Sequence, residues 1–249
     1  LLVKMISKGR KDLIDTEAAI PVGPTISVSD GKEAQNRTYQ DLLQNKDDEF
    51  NFEQLALSEL YKVNLDGKIE KWLDSDMHRS ISFSPDGNYV MVTTIDKPFS
   101  YLVPYYRFPS KTAVYSNKGD FVETIVEVPL IEDLPKGRMA VRTGRREIEW
   151  RADKPATIIF TEALDGGDPE KEVEFRDEVF TLEAPFNGSG KSIFKSINRY
   201  SGIRWGNDNM AIAYDRWWNT RNTKTYVFNP SDASTKPEII FDRNYQDSY

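Results

Sequence analysis

The sequence predicts an all-β chain: a partial β-propeller of about three complete four-stranded blades plus one incomplete blade, with a partly helical insertion. Two observations predict it. The phrase Ile81-Ser82-Phe83-Ser84-Pro85-Asp86-Gly87 returns in weakened form as Ile148-Glu149-Trp150-Arg151-Ala152-Asp153-Lys154 and Ile203-Arg204-Trp205-Gly206-Asn207-Asp208-Asn209; all three read Ile, any, aromatic, any, any, Asp. Apolar residues at every second position describe a strand, and an Asp flanked by turn formers describes the tight turn that ends it. Each phrase is followed by three further short apolar runs, and four antiparallel strands repeated along a chain is the pattern of propeller blades.

Taken in order, Leu1-Leu2-Val3-Lys4-Met5-Ile6 reads as the second strand of the incomplete blade, and as the interior of a longer protein. Its third and fourth strands are expected at 60–64 and 69–73, joined by the turn Leu65-Asp66-Gly67-Lys68. The insertion occupies residues 7–58, far longer than an ordinary loop. Within it, Pro21-Val22-Gly23-Pro24 predicts a rigid, extended entry. Helical spacing follows at 38–43 and 48–57, with Asp47 or Asp48 available as N-cap.

The complete blades are expected at about 81–128, 148–197 and 203–243, with the incomplete one at 60–73. Second strands fall at 89–95, 156–161 and 210–214; third strands fall around Val114, Val179 and Val227, and fourth strands at 121–125, 193–194 and 238–241. The phrase recurs after 67 and then 55 residues, against roughly 40–45 for a compact blade. The excess lies in the loops between second and third strands. These hold Pro98, Phe99, Tyr101, Pro104, Tyr105, Tyr106, Arg107, Phe108 and Pro109 in the first complete blade. The second has Leu164-Asp165-Gly166-Gly167-Asp168-Pro169, and the third Asp215-Arg216-Trp217-Trp218-Asn219-Thr220-Arg221. Connections in an antiparallel sheet alternate between its two ends, so these loops share one face with the connections between blades. Function is expected at that face, because loops on a rigid scaffold carry binding and catalysis.

A single domain, 1–249, is expected. The net charge of −7 argues against general nucleic-acid affinity. No apolar run approaches the roughly 20 residues that span a bilayer, so no membrane contact is expected. The chain has no cysteine, which rules out disulfides, zinc–thiolate sites and thiol catalysis within it.

No cofactor or metal site is predicted. Phe186-Asn187-Gly188-Ser189-Gly190-Lys191-Ser192 imitates a phosphate loop, but Pro185 stands where the leading Gly belongs and the stretch joins two strands. It reads as a hairpin. His78 is the only histidine, no Gly-x-Ser-x-Gly elbow is present, and a structural or solvated role is expected for it. Asp165 with Asp168, and Asp47, Asp48 and Glu49, match no calcium-loop spacing and read as solvated acids. Of Trp217 and Trp218, one is expected in the core and the other on the elaborated face. The least ordinary feature is the run 135–146, which carries Lys136, Arg138, Arg142, Arg145 and Arg146 and no acid. A solvated loop and a site for carboxylate groups, which guanidinium forks suit, both fit it.

Several of these stretches together resemble the propeller of the prolyl oligopeptidase family. They are Arg37-Thr38-Tyr39-Gln40-Asp41-Leu42-Leu43, Ser84-Pro85-Asp86-Gly87, Pro98-Phe99-Ser100-Tyr101-Leu102-Val103-Pro104, Arg107-Phe108-Pro109, Trp150-Arg151-Ala152-Asp153-Lys154-Pro155 and Asp165-Gly166-Gly167-Asp168. The glutamyl endopeptidase-like branch, found in bacteria and chloroplasts, is the most similar. The resemblance implies a module that gates access and positions peptide substrates for a C-terminal α/β-hydrolase domain absent from this chain, with an extracytoplasmic bacterial location. It carries no catalytic residue onto the sequence. It also implies that cations of the elaborated face, Arg107, Arg142, Arg145 and Arg146, orient an acidic side chain beside Tyr105 and Trp217. Glu49 or Glu53 on the inserted helix would meet a substrate ammonium.

Two other readings stay open. One is a free-standing propeller that binds a protein or small molecule; the other is an enzyme such as a glycosidase, which needs convergent carboxylates. Unpaired blade edges would invite self-association.

Overall fold

A computed structural model describes residues 1–15 and 39–247. The expected entry Pro21 to Pro24 and residues Arg37 and Thr38 lie outside the described residues. The chain runs β1 (Leu2–Ile6), α1 (Lys46–Ala56), β2 (Ser58–Val63), β3 (Ile69–Asp76), β4 (His78–Phe83), β5 (Tyr89–Ile95), a 3-10 turn (Tyr105–Arg107), β6 (Ser110–Ser116) and β7 (Phe121–Val128). It continues through β8 (Arg146–Trp150), β9 (Thr157–Ala163), β10 (Asp177–Glu183), β11 (Lys191–Ser196), β12 (Arg199–Asn207), β13 (Met210–Trp217), β14 (Asn222–Phe228) and β15 (Glu238–Asn244).

Among the described residues these strands form four sheets, each a meander of chain neighbours: β1-β2-β3, β4-β5-β6-β7, β8-β9-β10-β11 and β12-β13-β14-β15. The fold is therefore the expected partial propeller, with three four-stranded blades and one three-stranded blade. The repeated Asp holds the turn in the first two copies, while in the third the turn contact is made by Asn207, which accepts from the Asn209 N–H (2.9 Å). Asp86 accepts from Ser84 Oγ (2.6 Å) and from the Asn88 backbone N–H (3.0 Å). Asp153 accepts from Arg151 Nε (2.8 Å), and Asp208 pairs with Lys154.

The chain divides into two compact units: Leu1–Ile81, Val92–Thr112 and Glu127–Asp133 in the first, and Ser82–Met91, Ala113–Val126 and Leu134–Tyr249 in the second. In the first unit, α1 is capped by Asn45, whose side chain accepts from the Asp48 N–H at 2.9 Å, so neither Asp47 nor Asp48 is the N-cap. Those acids instead occupy the first turn, where they complement the helix dipole. The helix expected over 38–43 is absent from 39–43, where Asp41 adopts φ 57, a left-handed value that breaks helical repetition. Phe52 of α1 meets Phe99 and Phe108 edge-on, with ring centroids 5.1 and 5.6 Å away. The aromatic loop thus supplies core with Met77, Ile95 and Val103, while Tyr101, Tyr105 and Tyr106 stay exposed. Asn51 and Gln54 accept from the Ile14 and Lys11 backbone N–H groups, both at 2.8 Å, which ties the incoming chain to the helix.

In the second unit, successive blades bury side chains between them. One cluster joins Met91, Val114 and Ile125 to Ile158, Phe160, Leu182 and Phe186. The next joins Ile159, Val179, Ile193 and Phe194 to Tyr200, Ile203, Ala211, Ala213, Tyr226 and Phe228. β9 feeds both clusters because its residues are buried on both faces, as its unbroken apolar run predicts. Each fully buried aliphatic or aromatic side chain here contributes about 1.5–3 kcal/mol. The phosphate-loop imitation is the expected hairpin between β10 and β11, with Phe186 buried in the core.

Candidate functional site

The elaborated loops of the second unit are held together by a buried charge network. Asp165, which opens the Gly-Gly loop, accepts from the Gly167 N–H (2.9 Å) and from Arg176 (2.9 Å) and pairs with Arg199 (2.7 Å). Asp177, at the start of β10, accepts from Arg146, from Arg199 (3.1 Å) and from the Tyr200 N–H (2.8 Å). Both aspartate side chains are 0% exposed. Buried carboxylates are tolerated only when ionic and hydrogen-bonding partners replace water, and here three arginines and two backbone N–H groups do so. Asp165 is accordingly a buried counter-ion rather than the solvated acid expected. Among the described residues no group of three His or acidic side chains could hold a metal.

The network extends to the basic run. Arg199 donates through Nε to the Met139 carbonyl (2.9 Å), and Val141 donates its N–H to the Gly167 carbonyl (3.1 Å). Arg138 lies over the Trp218 ring at 4.3 Å, and Arg221 lies over the same ring at 3.7 Å. Arg176 stacks on Trp217 at 3.9 Å. Within this unit the blade connection, the Gly-Gly loop and the Trp-Trp loop do meet. Both tryptophans are half-buried, so neither is the core residue expected of one of them.

The arginines of the run differ from one another. Arg146 is buried and paired with Asp177, so its guanidinium is no exposed cation. Arg145 donates to the carbonyls of Ile125 (3.1 Å) and Gly188 and covers the Phe160 ring at 4.5 Å. Arg142 donates to the carbonyls of Thr143 (3.0 Å) and Arg145. Arg138 is exposed and makes no hydrogen bond or ion pair with the described residues; its stacking on Trp218 leaves the fork open. This Arg138–Trp218–Arg221 stack was not legible as a unit, although an Arg closing a Trp-Trp turn is the signal that would have found it.

The remaining candidates belong to the first unit. Arg107 is buried, lies over the Tyr39 ring at 5.4 Å and leaves one terminal nitrogen without a hydrogen-bond partner. Tyr105 is 51% exposed and lies under Arg79. Glu49 and Glu53 line a cavity of about 340 Å³ with Lys46, Lys97, Phe50, Pro98 and Phe99. Glu53 pairs with Lys97 (2.8 Å) and Glu49 with Lys46 (3.0 Å). Partial burial raises the Glu49 carboxyl, but hydrogen bonds from Tyr101 and Lys46 outweigh it and hold the group below its ordinary value. His78 is buried, with Nε2 3.1 Å from the Asp74 carbonyl oxygen, which fits a structural role.

Against known proteins, no family model matches. A probable chloroplastic glutamyl endopeptidase of Oryza sativa subsp. japonica is 38% identical over 234 residues, 93% of this chain and 25% of that protein. The Arabidopsis thaliana protein of the same name is 37% identical over 252 residues, 100% of this chain and 26% of its own length. Nearly the whole chain is thus similar to one segment of proteins named as glutamyl endopeptidases. It spans about a quarter of the length of these curated relatives, both of which are plant proteins, so the bacterial assignment expected from the motifs has no support in them. The β-propeller domain of the Trilobed protease from Pyrococcus furiosus overlays weakly, with a TM-score of 0.40 and 15% identity over 74% of this chain and 53% of that one.

Proposed function

We propose that this glutamyl endopeptidase-like segment gates access and positions acidic peptide substrates for an α/β-hydrolase domain of the same protein. The observation that carries the reading is the similarity of nearly the whole chain to one quarter of two relatives named as glutamyl endopeptidases. The loop face of the second unit supports it, because the Arg138–Trp218–Arg221 stack presents an open guanidinium fork suited to a carboxylate. We assign carboxylate contact to Arg138 and Arg221, with Arg142, Arg145 and Arg146 shaping the loop beneath them. Glu49 and Glu53 would meet a substrate ammonium only by exchanging it for Lys46 and Lys97.

The test is hydrolysis by the full-length protein that carries this segment. It should cleave peptides at Glu in preference to matched peptides with Gln. Absence of cleavage at acidic residues would overturn the reading.

A further inference from the structure

The arginines of the second unit include two contrasting sets. Arg146, Arg151, Arg176 and Arg199 each pair with an aspartate. Arg138, Arg216 and Arg221 reach no carboxylate among the described residues and meet aromatic rings instead. Acids outnumber Lys and Arg 40 to 33 in this chain, so three neighbouring cations without an acid form a local surplus that an external anion matches.

The three are linked through two rings. Arg138 and Arg221 lie 4.3 and 3.7 Å from the centroid of Trp218. Arg221 also donates through Nη1 to the Tyr245 hydroxyl (3.5 Å), and its carbonyl accepts from the Tyr245 N–H (2.8 Å). Arg216 lies over the Tyr245 ring at 5.4 Å. Arg138, Trp218, Arg221, Tyr245 and Arg216 thus form a ladder in which a ring separates each cation from the next. Arg138 and Arg216 are exposed and Arg221 is half-buried. A guanidinium stacked on a ring keeps its N–H edge available and is already oriented before an anion arrives.

Spacing decides which anion fits. One face of an indole has no room for two guanidinium planes this close to its centre, so Arg138 and Arg221 occupy opposite faces. A ring with a van der Waals contact of about 3.5–4 Å on each side sets the two forks roughly 7–8 Å apart. In an extended peptide, residues i and i+2 point to the same side and stand about 7 Å apart, whereas i and i+1 point to opposite sides. A single carboxylate occupies one fork and leaves the others unmatched.

We infer that the ladder recognises an extended peptide whose acidic side chains are two residues apart, with one carboxylate on Arg138, the next on Arg221, and Arg216 adding charge beside the second. Tyr245 is a positioning residue, since it acts by holding Arg221. The inference rests on the reading of the loop face as a carboxylate site and adds a substrate class to it: doubly acidic, at a fixed spacing.

The test titrates the 249-residue chain at low ionic strength with acetylated, amidated pentapeptides, followed by NMR of the indole N–H groups. The peptides are Gly-Glu-Gly-Glu-Gly, its isomer Gly-Glu-Glu-Gly-Gly, the singly acidic Gly-Glu-Gly-Gln-Gly and the neutral Gly-Gln-Gly-Gln-Gly. The spaced diacid should bind about threefold to fivefold more tightly than either the isomer or the singly acidic peptide. Arg138→Gln and Arg221→Gln should each reduce it to the level of the singly acidic peptide. Trp218→Leu, which keeps both cations but removes the spacer, should erase its advantage over the isomer at unchanged circular dichroism. Equal binding of the spaced diacid and its isomer, both ahead of the neutral peptide, would overturn the spacing and leave the carboxylate reading in place. Equal binding of all four peptides, binding of none, or tighter binding of inorganic pyrophosphate than of the spaced diacid would overturn both.

Discussion

A Cβ added to Gly167 would stand 2.0 Å from the carbonyl oxygen of Val141. The two backbones approach this closely because the Val141 N–H donates to the Gly167 carbonyl at 3.1 Å, joining the basic run to the Gly-Gly loop. Gly167 also holds φ 82, in the left-handed region. Gly167→Ala should therefore destabilise the chain by about 2–4 kcal/mol, combining left-handed strain with overpacking. Urea unfolding measures this, and Gly166→Ala, where nothing lies within 4 Å, serves as the control for strain alone. Equal losses at the two sites would dissolve the argument from close approach.

Asp177 joins Arg146, Arg199 and the Tyr200 N–H in one buried knot. Asp177→Asn removes the charge, which leaves Arg146 buried without its carboxylate partner and Arg199 with Asp165 alone. A loss of about 3–5 kcal/mol is expected. A loss below 1 kcal/mol, the scale of a surface pair, would mean that the network is solvated.

The strands were legible because each Ile-x-aromatic phrase is a local statement about alternation and turn chemistry, and all three copies fold as β4, β8 and β12 run into turns. The sites were less legible because their determinants are long-range. Nothing near Arg199 in sequence announces that it pairs with Asp165 and Asp177, or that it donates to Met139 across 60 residues. The basic run likewise reads as a patch of like charges, although Arg146 is a buried ion-pair partner and Arg138 an exposed arginine whose contact is the Trp218 ring. Fork geometry and burial separate them, and neither is written in composition.

The single histidine gives the chain a readable acid response. Burial lowers the His78 pKa below 6.5; the Asp74 carbonyl and the Asp76 charge oppose this, and Lys4 adds to it. The unfolded chain then binds the proton more readily than the folded one. The stability His78 contributes is present above about pH 6.5 and is lost as pH falls through the folded value. The ring proton titration of His78 should have its midpoint below 6.5, and His78→Gln should flatten the fall in stability between pH 7 and 5. A midpoint at or above 6.5 would contradict this.

The isolated chain should not hydrolyse peptides, because acyl transfer needs a nucleophile elbow and an oxyanion loop and its sequence holds no Gly-x-Ser-x-Gly. The purified 249-residue chain, assayed with Glu-containing peptides after contaminating proteases are inhibited, should show only background turnover. Robust turnover would refute the assignment of a positioning role.

The most direct measurement compares KM for matched Glu and Gln peptides in the full-length protein carrying Arg138→Gln and Arg221→Gln. A partly desolvated guanidinium–carboxylate contact predicts that KM for the Glu peptide rises about fivefold to tenfold while the Gln peptide changes little. Equal changes for both peptides, or none for either, would contradict carboxylate recognition by the loop face.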